Sequence, residues 1–99
     1  MTSSSTNIPI RILCLKFTLE KGTEEDRDYI LNMVQNGLDT HAYATTKRVE
    51  YIHAQTGVMK AYYRIVVTYT HHFKTRHDRR SKKIFFKLKL KYPEIKLTA

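Results

Sequence analysis

The pattern of apolar and polar positions divides the chain into a strand, a helix, a hairpin and a further strand. Residues 8–20, "IPIRILCLKFTLE", carry apolar side chains on both parities: Ile10, Ile12 and Cys14 on one, Leu13, Leu15, Phe17 and Leu19 on the other. A strand apolar on both sides is an interior strand or one covered on both faces. Pro9 belongs near its start, where a missing N–H costs little. Met1 to Asn7 reads as a frayed tail, leaving 8–99 as one domain.

The stretch "KGTEEDRDYILNMVQNGL" changes to helical spacing. Thr23 suits an N-cap, and Glu24, Glu25, Asp26 and Asp28 follow in the first turn, where the helix dipole favours acids. Ile30, Met33, Val34 and Leu38, with Tyr29 beside them, form one apolar stripe that predicts a helix laid over a sheet. Asn36-Gly37-Leu38 fits a Schellman stop, with Gly37 as the left-handed residue and Leu38 against Met33.

"TKRVEYIHA" and "VMKAYYRIVVTYTH" flank "QTG" and predict a hairpin. With Gln55, Thr56 and Gly57 as a three-residue loop, Gly57 takes the left-handed position and opposed residue numbers sum to 112. Arg48 then faces Arg64, and Val49 faces Tyr63. One face gathers Val49, Tyr51, His53, Met59, Ala61, Tyr63, Ile65 and Val67. The other gathers Arg48, Glu50, Ile52, Lys60, Tyr62 and Arg64. The clean partition selects this register, because a one-residue slip sends every side chain to the other face. Last, Lys83 to Tyr92 alternates Ile84, Phe86, Leu88, Leu90 and Tyr92 against Phe85, Lys87, Lys89 and Lys91, which predicts a fourth strand ended by Pro93. The tail "EIKLTA" carries no assignment. The expected fold is α+β in two layers: one helix packed on a mostly antiparallel four-stranded sheet, in the order β-α-β-β-β.

Length and composition fit this picture. The chain has 99 residues, 41% of them hydrophobic and 11% aromatic, which suits one globular domain. Cys14 stands alone, so there is no internal disulfide and no Cys₄ or Cys₂His₂ zinc site. A single free thiol favours a reducing compartment. The longest apolar run, "ILCL", is far short of a membrane span, and residues 1–7 lack the basic and apolar regions of a signal peptide. The expected location is intracellular, cytoplasmic or nuclear.

Charge adds the functional clue. The net charge is +9. Residues 1–57 hold six Lys/Arg and seven Asp/Glu, a net of −1, and residues 58–99 hold twelve and two, a net of +10. Such asymmetry bears on partners rather than fold. In the predicted register the sheet face away from the helix carries Arg48, Lys60, Tyr62 and Arg64, joined by Phe85, Lys87, Lys89 and Lys91 from the fourth strand. A loop before that strand adds Lys74, Arg76, Arg79, Arg80, Lys82 and Lys83. Opposed arginines repel in the free protein, and a phosphate between them reverses that. Tyr62 and Phe85 offer rings for base stacking. Lys87, Lys89 and Lys91 also fit a simpler role as guards against edge-to-edge aggregation. "RRSKK" resembles a nuclear-import cluster, a common pattern.

Catalytic signatures are absent. There is no nucleophile-elbow serine and no Gly-rich phosphate loop. The adjacent His71 and His72 point to opposite faces, and the five histidines do not form a metal spacing. Cys14 reads as a small apolar core residue, and His53 as a packed residue at the sheet edge. No metal or cofactor is expected. The sequence therefore predicts a small basic protein that binds DNA or RNA through a sheet face and the 73–83 loop, without catalysis. Two alternatives remain: an interaction or inhibitor protein docking on an acidic partner, and a metal-independent ribonuclease drawing on His71, His77, Arg79 or Tyr62.

Overall fold

The computed structural model describes residues 10–99, so Pro9 and the frayed tail expected before it lie outside the described residues. The elements are β1 (Ile12–Leu19), α1 (Glu24–Gly37), β2 (Ala42–Ile52), β3 (Met59–Thr70), α2 (Lys74–Lys91) and β4 (Lys96–Thr98), with one 3₁₀ turn, His71–Phe73, leading into α2. Sheet order is β2-β3-β1-β4, antiparallel throughout. The two-layer α+β architecture with four antiparallel strands is the expected one. The element order is not: it is β-α-β-β-α-β, the split βαβ arrangement, with two helices on one face.

The segment expected to be strand four lies inside α2, and the segment expected to be a basic loop forms the first half of the same helix. The inward stripe of α2 is His77, Ser81, Ile84 and Leu88, all buried. This i, i+4, i+7, i+11 series is helical, but its first two members are polar and conceal it. Lys, Arg and Leu are good helix formers, and 18 residues without Gly or Pro sustain them. Pro93 lies just past the end. The fourth strand is instead supplied by the tail, where Lys96, Leu97 and Thr98 pair with Thr18, Phe17 and Lys16. This places β1 in the interior of the sheet, one of the two positions its pattern allows, while its second face stays uncovered, with Ile12 66% exposed.

Helix α1 begins as expected. Thr23 Oγ1 accepts from the Asp26 amide at 3.2 Å, and Asp26 Oδ2 accepts from the Thr23 amide at 3.0 Å, a reciprocal capping box. Ile30, Val34 and Leu38 are buried as the stripe predicts, whereas Met33 is half-buried. The Schellman stop does not form. Gly37 closes the helix without positive φ, and Leu38 caps it in an extended conformation. Gly37 has another role: a Cβ there would lie 2.5 Å from Ile84 Cδ1. The two helices touch at this point.

The hairpin register differs from the expected one by a single residue. Opposed numbers sum to 111, so Arg48 faces Tyr63, Val49 faces Tyr62, and Lys47 faces Arg64. The loop has four residues, Ala54 to Gly57. His53 N–H donates to Val58 O at 2.9 Å, and Gly57 N–H to His53 O at 2.8 Å. Gly57 does have positive φ, 68°, as the turn demands. The faces of β3 are those expected; those of β2 are exchanged. The cause is local: apart from the half-buried Val49, residues 45–52 are exposed on both sides, so burial does not specify their register.

The core lies between the sheet and the helices: Phe17, Ile65, Val67 and Tyr69 from the strands meet Ile30, Val34, Ile84 and Leu88, with Ile95 closing one end. By register, Arg48, Glu50, Tyr63, Ile65, Val67 and Tyr69 share the helix side. Lys16, Thr18, Lys47, Lys60, Tyr62, Arg64 and Lys96 share the other.

Candidate nucleic-acid interface

The sheet side opposite the helices is covered by no described element. Backbone pairing brings Lys47, Arg64, Thr18 and Lys96 onto one line across all four strands. With strands about 4.8 Å apart, that line spans about 14 Å. Lys16 lies one same-face step along β1 from Thr18, and Lys60 two along β3 from Arg64, past Tyr62. None of the strand positions on this side is Asp or Glu. Glu20, just beyond β1, comes within 3.8 Å of Lys96 Nζ.

Arg64 is held in place by its neighbour. One of its Nη groups donates to the Tyr62 hydroxyl at 3.0 Å, and its guanidinium carbon sits 5.6 Å from the centre of that ring. Arg64 Nε is buried without a partner among the described residues, and directly across the ladder stands Lys47, a like charge. Buried donors are nearly always satisfied, and opposed like charges repel. The repulsion is relieved by an anion laid over the pair. Tyr51 and Tyr62 form an aromatic pair beside it, 5.8 Å between ring centres. Tyr43 stands exposed on the same side, eight residues along β2, about 27 Å away by strand rise.

The second basic surface is α2, on the far side of the molecule. Lys74, Arg76, Arg79, Arg80, Lys82, Lys83, Lys87, Lys89 and Lys91 are all exposed along it, and Phe85 is half-buried. Lys74 is tied to Asp78 at 2.6 Å and Arg76 to Asp39 at 3.0 Å. Among the described residues, Arg79, Arg80, Lys82, Lys83 and Lys87 make no ion pair. A shallow hollow of about 590 Å³ is lined by His72, Phe73, Thr75, Arg76, Arg79, Arg80 and Lys83, with no carboxylate in its wall.

The residues singled out by sequence thus divide. Lys60, Tyr62 and Arg64 stand on the open sheet side as expected. Arg48 does not: the register turns it to the helix side, exposed and paired with Glu50. Phe85, Lys87, Lys89 and Lys91 do not join the sheet, because they are helical; Lys89 lies over the Phe85 ring and Lys91 over the Tyr29 ring. The edge-guard reading of the three lysines falls with the strand. Lys16, Lys47 and Lys96 were missed, Lys47 through the register and Lys96 because the tail showed no strand pattern.

The residues considered for a ribonuclease do not converge. His77 is fully buried under α2, whereas Tyr62 faces out from the other side of the sheet. His71 is spent on the residue just before β1, where its ring Nδ1 accepts from the Arg11 amide at 3.1 Å. Burial pushes the His77 ring down from its ordinary value, only partly opposed by Asp39 Oδ1 at 3.3 Å. Asp39 is held below the usual carboxylate range, first by the His41 amide and then by Arg76, against desolvation. Tyr69 donates to Asp78 at 2.8 Å, and burial and that carboxylate push its hydroxyl up. These contacts anchor α2 to the sheet and to the turn after α1. Cys14 is half-buried on the open side, its Sγ 3.9 Å from Thr68 Oγ1, and His53 sits half-buried at the start of the hairpin loop.

No family model matches the chain, and neither a curated protein nor a solved structure does.

Proposed function

We propose that the chain binds single-stranded nucleic acid on the open sheet face, as a binding protein rather than a nuclease. The observation that carries this is the line Lys47–Arg64–Thr18–Lys96 beside the Tyr51–Tyr62 pair, on a side free of strand carboxylates. Cations contact phosphates whatever the sequence, and tyrosine rings stack on any base. A duplex keeps its bases inside and gains nothing from rings on a flat sheet, so unpaired strands are the better fit. The cations of α2 add to the field that draws a polyanion in. Such a protein works where nucleic acid is found, in cytoplasm or nucleus.

Fluorescence anisotropy with labelled single-stranded DNA, single-stranded RNA and duplex at roughly 50 and 200 mM salt tests this. Single strands should bind more tightly than duplex, and Tyr62→Ala should weaken that binding by about 1–3 kcal/mol. Absence of binding at the lower salt, or tighter binding of duplex with no effect of Tyr62→Ala, rejects it.

A further inference from the structure

The outward stripe of α2 presents a feature that the sheet face does not use. Phe86 and Leu90, one turn apart, are 66% and 88% exposed. They lie opposite the buried stripe of Ile84 and Leu88, and Arg79, Lys82, Lys83 and Lys87 surround them on the same exposed surface. Two large apolar side chains held out from a rigid helix lose contact with water only when something covers them.

We infer that this face of α2 docks peripherally on an anionic lipid bilayer. A helix with Lys and Arg flanking Phe and Leu lies in the plane of the interface, its apolar side chains reaching the acyl boundary and its cations among the headgroups. The long stems of Lys82, Lys83 and Lys87 let their ammonium groups reach lipid phosphates while Phe86 and Leu90 enter. A second copy of the chain is a poor occupant, because it brings the same positive charge. A nucleic acid satisfies the cations but offers no hydrocarbon to the two apolar side chains. No described helix is long and apolar enough to cross a membrane, so the contact is a surface one. It lies on the opposite side from Arg64 and stands independently of nucleic-acid binding.

The sequence contains no tryptophan, so Phe86→Trp gives a single reporter at the centre of the patch. Its emission should shift to the blue with vesicles of phosphatidylcholine plus phosphatidylserine, and not with phosphatidylcholine alone. In co-sedimentation with the mixed vesicles, Phe86→Ser/Leu90→Ser should lower the partition coefficient at least about tenfold, with helicity unchanged because both sites are exposed. Arg64→Ala should partition like the unmodified protein. No association with the mixed vesicles at low salt overturns the inference. So does a double serine variant that partitions normally, since the charges alone would then be responsible.

Discussion

Gly37 shows how a single side chain sets the distance between the helices. In an open helix interior, Gly→Ala stabilises by about 1 kcal/mol. Here the added methyl meets Ile84, a buried residue with little room to withdraw. Gly37→Ala should therefore destabilise the protein, by about 1–3 kcal/mol on the usual scale of overpacking. In urea unfolding, Ile84→Val should recover part of that loss in the double variant; a stabilised Gly37→Ala would show that the helices do not meet there. His77 carries the pH dependence. Its folded pKa is depressed by burial, despite Asp39, with Arg76, Arg80 and His41 also opposing its charge. Well above about pH 6.5, the ordinary histidine value, the ring is neutral in both states. As pH falls below that value the unfolded chain takes up the proton and the folded one resists, so stability falls. Unfolding midpoints should drop between pH 7 and pH 5, and should drop less in His77→Leu. At this scale the sequence was readable where chemistry is local, as in Thr23 and Asp26, whose reciprocal bonds span three residues. It misread Gly37 as a left-handed stop, because the neighbour that needs a glycine there, Ile84, is 47 positions away.

Among the elements, α2 explains why alternation misleads. Ile84, Phe86, Leu88 and Leu90 alternate with lysines, but only Ile84 and Leu88 are buried, and they belong to a stripe that continues through Ser81 to His77. A period of two and a period of 3.6 share the i, i+4 step, so a short apolar run satisfies both. The polar members that would have decided the matter are hidden by being polar. The two readings make different demands on Leu88 and Leu90. A strand with one buried face needs both equally; the helix needs only Leu88. Leu88→Ala should cost about 2–5 kcal/mol, and Leu90→Ala under about 0.5 kcal/mol. Equal losses would return this segment to the sheet. The hairpin failed for the converse reason. Its turn was located correctly by Gly57, but strand residues with water on both sides carry no pattern from which a register can be read.

For the whole molecule, the consequence is that its two basic surfaces point apart. Read as a loop and a strand, the cations of residues 74–91 and those of the hairpin were expected to grip one polyanion together. The split βαβ arrangement puts a sheet and a buried core between them, so a short strand resting on Arg64 does not reach Arg79. Salt dependence separates the two surfaces. Each phosphate neutralised on a single strand contributes about 0.7 to the slope of log affinity against log salt. With a short single-stranded oligonucleotide, Lys47→Ala and Arg64→Ala should each weaken binding and reduce that slope by roughly 0.7, one contact apiece. Arg79→Ala/Arg80→Ala should leave the slope unchanged and slow association modestly, through the weaker long-range field. Tyr62→Phe is the finer probe: it keeps the ring for stacking but removes the hydroxyl that holds the Arg64 guanidinium, so it should reproduce part of the Arg64→Ala effect. A slope that falls with Arg79 and Arg80 instead would move the interface to the helical side and leave the open sheet face without a ligand.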